Sequence, residues 1–158
     1  MPVVDRTDYN AVERYFESFR QKYEQAFIRT LKYVALRVVT TARQKGSYLD
    51  QTGNLRSSVG AVIVIDGKIS WSTNFEPAKS KSRSSPKGTS QMTATENGSD
   101  DGRRFASELA KKYSRGVALI VVAGMDYAVH VSNRGRDVLE AAELVPKMLA
   151  KLSSNKRT

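Results

Sequence analysis

The stretch 116–135, GVALIVVAGMDYAVHVSNRG, is the most apolar part of the chain, and we expect the fold to be built around it. Its first half, Val117 to Ala123, is a seven-residue apolar run that is rich in β-branched side chains and ends at Gly124. A run of this kind is too short for an ordinary helix and favours a strand buried on both faces.

The second half of this stretch follows a different pattern. Tyr127, Val129 and Val131 alternate with Ala128, His130 and Ser132, so one set would face the core and the other a wetter side. A period of two is typical of a strand with one covered face. The whole stretch therefore predicts a hairpin that turns at Gly-Met-Asp.

An earlier hairpin is predicted on either side of Asp66-Gly67, because Asp-Gly between two apolar segments is a strong signal for a two-residue turn. The predicted strands are 59–65 and 68–75. In the register that this turn would fix, Val64 faces Ile69, Val62 faces Trp71 and Gly60 faces Thr73. The opposite face, which includes Ala61 and Ile63, is half polar and is expected to be covered by a helix or a neighbouring subunit. The two hairpins together predict a core of Val62, Val64, Trp71, Leu119, Val121, Tyr127 and Val129.

Helical periodicity covers residues 7–45 and predicts one long helix or two collinear ones, with Thr7 as the expected start and Gly46 as the expected stop. Apolar residues fall three or four apart, at Val12, Tyr15, Phe16, Phe19, Tyr23, Phe27, Leu31, Val34, Val38 and Ala42. A helix of this span would be about 57 Å long, which exceeds what one compact domain of this size can cover. Part of the apolar stripe is therefore expected to meet a partner.

Two further helices are predicted, a short one from Asp101 to Arg115 and a last one that begins near Asp137 and is interrupted by Pro146. The predicted fold class is α+β. A long N-terminal helix precedes two β-hairpins that form one antiparallel sheet, and the short middle helix and the C-terminal helix pack on that sheet.

We expect one domain over residues 1–158, with a flexible insertion at 77–101 and a frayed basic tail at 153–158. The insertion is rich in Ser, Thr, Lys and Gly, and one Met is its only large apolar residue. It carries four cations that could reach a partner or DNA: Lys79, Lys81, Arg83 and Lys87.

Composition narrows the classes of function. The formal net charge is +10 and the pI is about 9.9, so a polyanion such as nucleic acid is a natural partner. The absence of cysteine excludes a disulfide framework and thiolate metal sites. No signal-peptide pattern begins the chain, and no apolar run approaches the roughly 20 residues that span a bilayer. A soluble protein without membrane contact is expected.

Catalytic chemistry is not predicted. The only histidine, His130, has no recognisable partner, and the carboxylates are scattered. We therefore expect no enzyme, no cofactor and no metal site.

Two stretches resemble the tail-completion family of tailed phages, also called head-tail connector, neck or minor capsid proteins. Residues 50–58, DQTGNLRSS, are similar to the family's D-T-G-x-L-R-x-S segment, and residues 123–131 with Gly135 are similar to its Y-A-x-Y-V-E-x-G strand. The matching positions are Thr52, Gly53, Leu55, Arg56, Tyr127, Ala128, Val131 and Gly135. The chain departs from these patterns at Gln51, His130 and Ser132.

The resemblance implies a structural virion protein, made in the bacterial host cytoplasm, whose copies form a ring at the head-tail junction. Double-stranded DNA would pass through the ring without sequence recognition, and adjacent connector and tail proteins would be its other partners. The resemblance also allows an isolated subunit that stays monomeric until a partner ring templates it. A stand-alone basic nucleic-acid-binding domain is the alternative, and a nuclease-like phage enzyme is a weaker third interpretation.

Overall fold

A computed structural model describes residues 8–48, 52–78, 96–140, 142 and 145–147. By its contacts the chain divides into two units, residues 1–31 and 32–158. The elements are α1 (Tyr9–Lys45), α2 (Asn54–Ser57), β1 (Val59–Ile65), β2 (Lys68–Ser72), α3 (Glu96–Ala110), β3 (Val117–Ala123) and α4 (Ala128–Asn133). Glu140, Ala142 and 145–147 are also helical. The predicted α+β class with a long N-terminal helix is confirmed.

The sheet of the second unit has three antiparallel strands in the order β2-β1-β3. Its central strand is β1, in which every residue from Val59 to Val64 is buried. Of the two predicted hairpins, the first is present as β1 and β2, whereas the second was wrong, because residues 128–133 are helical and β3 pairs with β1 after the chain crosses over through α3. The element at the centre of the fold is therefore β1, and the stretch 116–135 contributes an edge strand.

The two faces of β1 belong to two separate apolar clusters. On one face, Val59 and Ala61 pack with Ala35, Val38, Val39 and Ala42 of α1 and with Ala142. On the other face, Val62 and Val64 pack with Phe75, Ile120, Val122, and Ala106 and Ala110 of α3. The sheet thus lies between two helical layers, and the expectation that a helix covers the half-polar face of the hairpin is confirmed.

The β1–β2 hairpin has the predicted two-residue turn, with positive φ angles of 47° at Asp66 and 79° at Gly67. Val64 pairs with Ile69 as expected, but the register then shifts and Ile63 pairs with Trp71. A shift of one residue moves later side chains to the other face of a strand. Trp71 is therefore half-buried against the α1 side of the sheet, and its predicted pairing with Val62 was wrong.

The segment after β3 is helical, which contradicts the predicted second strand at 127–131. Tyr127 precedes α4 and is 39% exposed, whereas Val129 and His130 lie on α4 and Val129 is 64% exposed. The predicted placement of Tyr127 and Val129 in the core was therefore wrong. The alternation misled because Ala128 and Val131, three apart, also share one face of a helix. Among the other predicted core residues, Val62 and Val64 are buried, and Leu119 and Val121 are half-buried.

Helix α1 is continuous and ends at Lys45, directly before the predicted stop at Gly46. Its first turn is capped by Asp8, whose carboxylate accepts the Ala11 N–H at 3.1 Å. The residue predicted to begin it, Thr7, lies outside the described residues.

Helix α3 begins at Glu96 rather than at Asp101, so residues 96–101 belong to a helix and not to a flexible insertion. It ends at Ala110 rather than Arg115. Its early turns contain Gly98 and Gly102. Glycine has a low helix propensity, so the sequence did not predict that the helix starts this early, but its lack of a side chain permits close packing. A Cβ at Gly102 would lie 2.5 Å from the Ser58 carbonyl oxygen. At the start of the predicted insertion, the Ala78 N–H donates to the Ser57 hydroxyl at 2.8 Å, whereas residues 79–95 and the tail, 153–158, lie outside the described residues.

Candidate assembly surface

Among the described residues, the largest group of exposed large apolar side chains lies on α1, within the first unit. Its members are Tyr9, Val12, Phe16, Phe19, Tyr23 and Phe27, and we call this set the aromatic face. Between 42% and 69% of each of these side chains is exposed. Successive residues of a helix are about 100° apart, which places all six within an arc of about 80°. Every residue from Asp8 to Phe27 is exposed.

Ring contacts stabilise the arrangement of the aromatic face but bury little of it. Phe19 and Tyr23 are stacked with ring centroids 6.2 Å apart, and Tyr15 meets Phe16 edge-on at 6.1 Å. Soluble monomers rarely expose a continuous apolar surface of this size, so the aromatic face is a candidate for contact with another macromolecule. These apolar side chains can be removed from water by contact with a partner.

The two sequence stretches that carry the family resemblance come together in space. Leu55 of α2 and Ala128 of α4 are buried in one cluster with Tyr48 and Val138, and Val131 packs against it. Gly53 precedes α2 with φ of 80°, a left-handed conformation that favours glycine. These motif positions therefore have a packing role in the second unit.

The remaining motif positions differ in exposure. Arg56 is only 6% exposed, and its guanidinium carbon lies 5.5 Å from the centre of the Tyr48 ring, within reach of a cation–π interaction. Thr52, Tyr127 and Gly135 are exposed. Asp50 and Gln51, which begin the first motif, lie outside the described residues.

Arg43 shows that one of the basic residues of α1 is used inside the fold. Its Nε and Nη2 donate to the Val59 carbonyl oxygen at 3.2 and 2.8 Å, and Nη2 also donates to the Asn74 carbonyl oxygen at 3.3 Å. Burial lowers the pKa of this guanidinium, although nearby Glu76 acts in the opposite direction. Arg43 therefore joins α1 to β1 and to the segment after β2. Sequence reasoning missed this role, because a bond to a backbone carbonyl leaves no trace in residue type.

A charged surface lies at the end of the sheet where the β1–β2 turn is found. Ile65 pairs with both Lys68 and Val117, so β2 and β3 reach this end together. The Asp66 carboxylate accepts the Gly116 N–H at 2.8 Å, which ties the hairpin turn to the loop before β3. The exposed cations of these segments are Lys68, Lys111, Lys112 and Arg115, and none of them forms an ion pair within the described ranges. We call these four residues the basic end.

The basic stretch predicted from the insertion, Lys79, Lys81, Arg83 and Lys87, lies outside the described residues. Across the described part of the chain, no group of three or more His, Asp or Glu residues is placed to hold a metal ion. No described helix is long and apolar enough to cross a membrane.

Comparison of the chain with protein-family models, with curated proteins and with solved structures finds no match.

Proposed function

We propose that this protein is a structural subunit that assembles with copies of itself, in the manner of the head-tail connector and tail-completion proteins of tailed phages. The observation that carries the proposal is the aromatic face of α1, with six large apolar side chains exposed on one side of a helix. The resemblance of two sequence stretches to that family gives the proposal its specific form, a ring at the head-tail junction of a virion.

Energetics support assembly as the use of the aromatic face. Full burial of a large apolar side chain contributes about 1.5–3 kcal/mol, so six of them supply a substantial driving force even after the entropic cost of association. If these side chains stayed in water, they would contribute no free energy of burial to the stability of the protein or of a complex. Burial against other subunits makes use of this surface.

Passage of DNA is the second part of the proposal. The chain has a formal net charge of +10, and loosely held cations attract phosphates without recognising a base sequence. In a ring, the basic stretch with Lys79, Lys81, Arg83 and Lys87 would line the channel or contact an adjacent connector or tail protein. No step of this function requires a catalytic residue, a cofactor or a metal.

The test is the state of association of the full chain. Sedimentation velocity over a range of concentrations should reveal oligomers, and negative-stain electron microscopy of the largest species should show closed rings. A chain that stays monomeric at every concentration would contradict self-assembly driven by the aromatic face.

A stand-alone nucleic-acid-binding domain is the second candidate, and the basic end is the observation that favours it. Four cations without an ion pair in the described ranges lie where two strands and the end of α3 converge. Under this alternative the monomer binds DNA tightly, with an affinity that falls steeply with salt. Fluorescence anisotropy with labelled duplex DNA at several salt concentrations distinguishes the two candidates. A ring subunit should bind weakly as a monomer, and Lys111→Gln with Lys112→Gln should then leave assembly unchanged.

A further inference from the structure

The charged residues beside the aromatic face are distributed unevenly. At about 100° per residue, Glu13, Glu17 and Glu24 lie about 80–120° from the centre of this face on one side, and Lys22 and Arg29 lie about 100–120° from it on the other. Arg20 is on the acidic side but forms an ion pair with Glu17 at 3.3 Å. Asp8, which caps α1, lies about 60° from the centre on the basic side, and Arg14, on the side opposite the aromatic face, is 3.8 Å from its carboxylate. The aromatic face thus has an acidic flank and a basic flank.

This distribution distinguishes two ways of pairing copies of the helix. When two copies run antiparallel, each flank meets the same flank of its partner, so carboxylates would face carboxylates. When they run parallel, the acidic flank of one copy meets the basic flank of the next. Opposite charges favour the parallel contact, and like charges disfavour the antiparallel one.

We infer that the aromatic face binds a second copy of this chain, with the two α1 helices parallel and the acidic flank of one beside the basic flank of the other. This inference rests on the proposed function and gives its contact a location and a direction. Two parallel copies that bury the same aromatic face against each other are related by a two-fold axis along the helices, so the flanks are complementary on both sides and the contact is isologous. The occupant of the aromatic face is therefore a second copy of this chain, and a ring of more than two copies would use a further contact elsewhere on the subunit.

The first experiment reverses one flank at a time in the full chain. Glu13→Lys with Glu24→Lys leaves Glu17 paired with Arg20 and makes both flanks net basic, and Lys22→Glu with Arg29→Glu makes both flanks net acidic. Each double variant should raise the apparent Kd for self-association about tenfold, because attraction is replaced by repulsion along the contact. Gln21→Lys with Gln25→Lys is the control, because it adds charge away from the contact and should leave the Kd within about threefold of the unmodified chain.

The quadruple variant that combines both reversals is decisive, because its net charge equals that of the unmodified chain. It should restore association to within about threefold, since its flanks are again complementary. An equal mixture of the two double variants should also associate. Circular dichroism checks that helix content is the same in every variant, so that loss of folding is not mistaken for loss of contact.

The second experiment measures direction. Because the chain has no cysteine, Val12→Cys and Ala26→Cys each introduce a single thiol. A short bismaleimide should link each variant to itself when the helices are parallel. An antiparallel contact centred near Phe19 would give linked dimers only when the two variants are mixed.

The outcomes separate this inference from the proposed function. If the unmodified chain stays monomeric, both are overturned. If it forms oligomers that are indifferent to the flank reversals, or if linking occurs only in the mixture, the parallel contact is overturned and self-assembly stands.

Discussion

The two parts of α1 carry the same apolar spacing and use it differently. From Tyr9 to Phe27 the apolar residues are mostly large aromatics, and all of them are exposed. From Lys32 to Lys45 the buried residues are small, namely Ala35, Val38, Val39 and Ala42, and they pack against β1. One continuous helix therefore contributes a packed layer to the second unit and an open surface in the first.

The difference teaches what residue size does on a helix face. Alanine and valine allow a helix to approach a sheet closely, because short side chains interdigitate without forcing the backbones apart. Aromatic residues cover more area per residue and dominate the energetics of interfaces between proteins. Both parts of α1 have the same apolar periodicity. They differ in side-chain size: the small residues fit against a strand of the same chain, and the large aromatic residues suit contact with another molecule.

The largest effect is expected from a charge in the packed part. Ala35 is fully buried, so Ala35→Asp would place a carboxylate among apolar side chains without a partner and should cost about 3–5 kcal/mol in free energy of unfolding. Urea denaturation followed by circular dichroism measures the loss. The matched control is Ala26→Asp, the same substitution on the exposed part of the same helix, which should cost less than about 1 kcal/mol. Equal costs at the two positions would contradict the comparison.

A smaller effect is expected at Arg43, which links the packed part to backbone carbonyl groups. Arg43→Met keeps much of the apolar stem but removes three hydrogen bonds, and the loss should be about 1–3 kcal/mol. Arg37→Met serves as its control, because Arg37 is exposed on the same helix. If the two variants had the same denaturation midpoint, the Arg43 hydrogen bonds would contribute nothing to stability.

Trp71 tests the edge of the packed region. It is half-buried on an edge strand, and Lys32 Nζ lies 5.9 Å from its ring centre. Trp71→Ala should therefore cost about 1–2 kcal/mol, less than the roughly 3–5 kcal/mol typical of a fully buried aromatic residue. The native emission maximum should lie between those of buried and free tryptophan. A loss in the full-burial range would place Trp71 in the core after all.

The sequence allowed much of the fold to be predicted, where one local signal dominated. Gly46 marked the end of α1, and Asp66-Gly67 marked the hairpin turn. Predictions failed where two periodicities fit the same residues, as at Ala128 and Val131, or where glycines that permit close packing weakened a helix signal, as in α3. The register shift at Ser70 had no signature either, because a bulge depends on packing across the strands.

The candidate site was predictable only in outline. The length of the apolar stripe indicated that some of it would meet a partner, but periodicity alone could not say which part. Which part of the stripe is buried depends on where β1 packs against the helix, and that is set by the tertiary structure. The roles of Arg43 and of Tyr48 in the second unit were missed for the same reason, since their partners are backbone groups and side chains distant in sequence.

The smallest effect on stability should come from the aromatic face itself, and this result most directly tests the comparison. Phe16→Ala with Phe19→Ala removes two exposed rings, so the free energy of unfolding of the dilute monomer should change by less than about 0.5 kcal/mol, with alanine slightly favouring the helix. Association should nevertheless weaken by at least about tenfold, because large aromatic residues at the centre of an interface carry most of its binding energy. Sedimentation equilibrium and urea denaturation of the same samples measure the two quantities.

Leu36→Ala is the control, since Leu36 is a 52% exposed side chain of α1 outside the aromatic face, and its substitution should change neither quantity appreciably. If the double variant loses stability as a monomer, the aromatic residues pack within their own chain, and the distinction between the two parts of α1 fails.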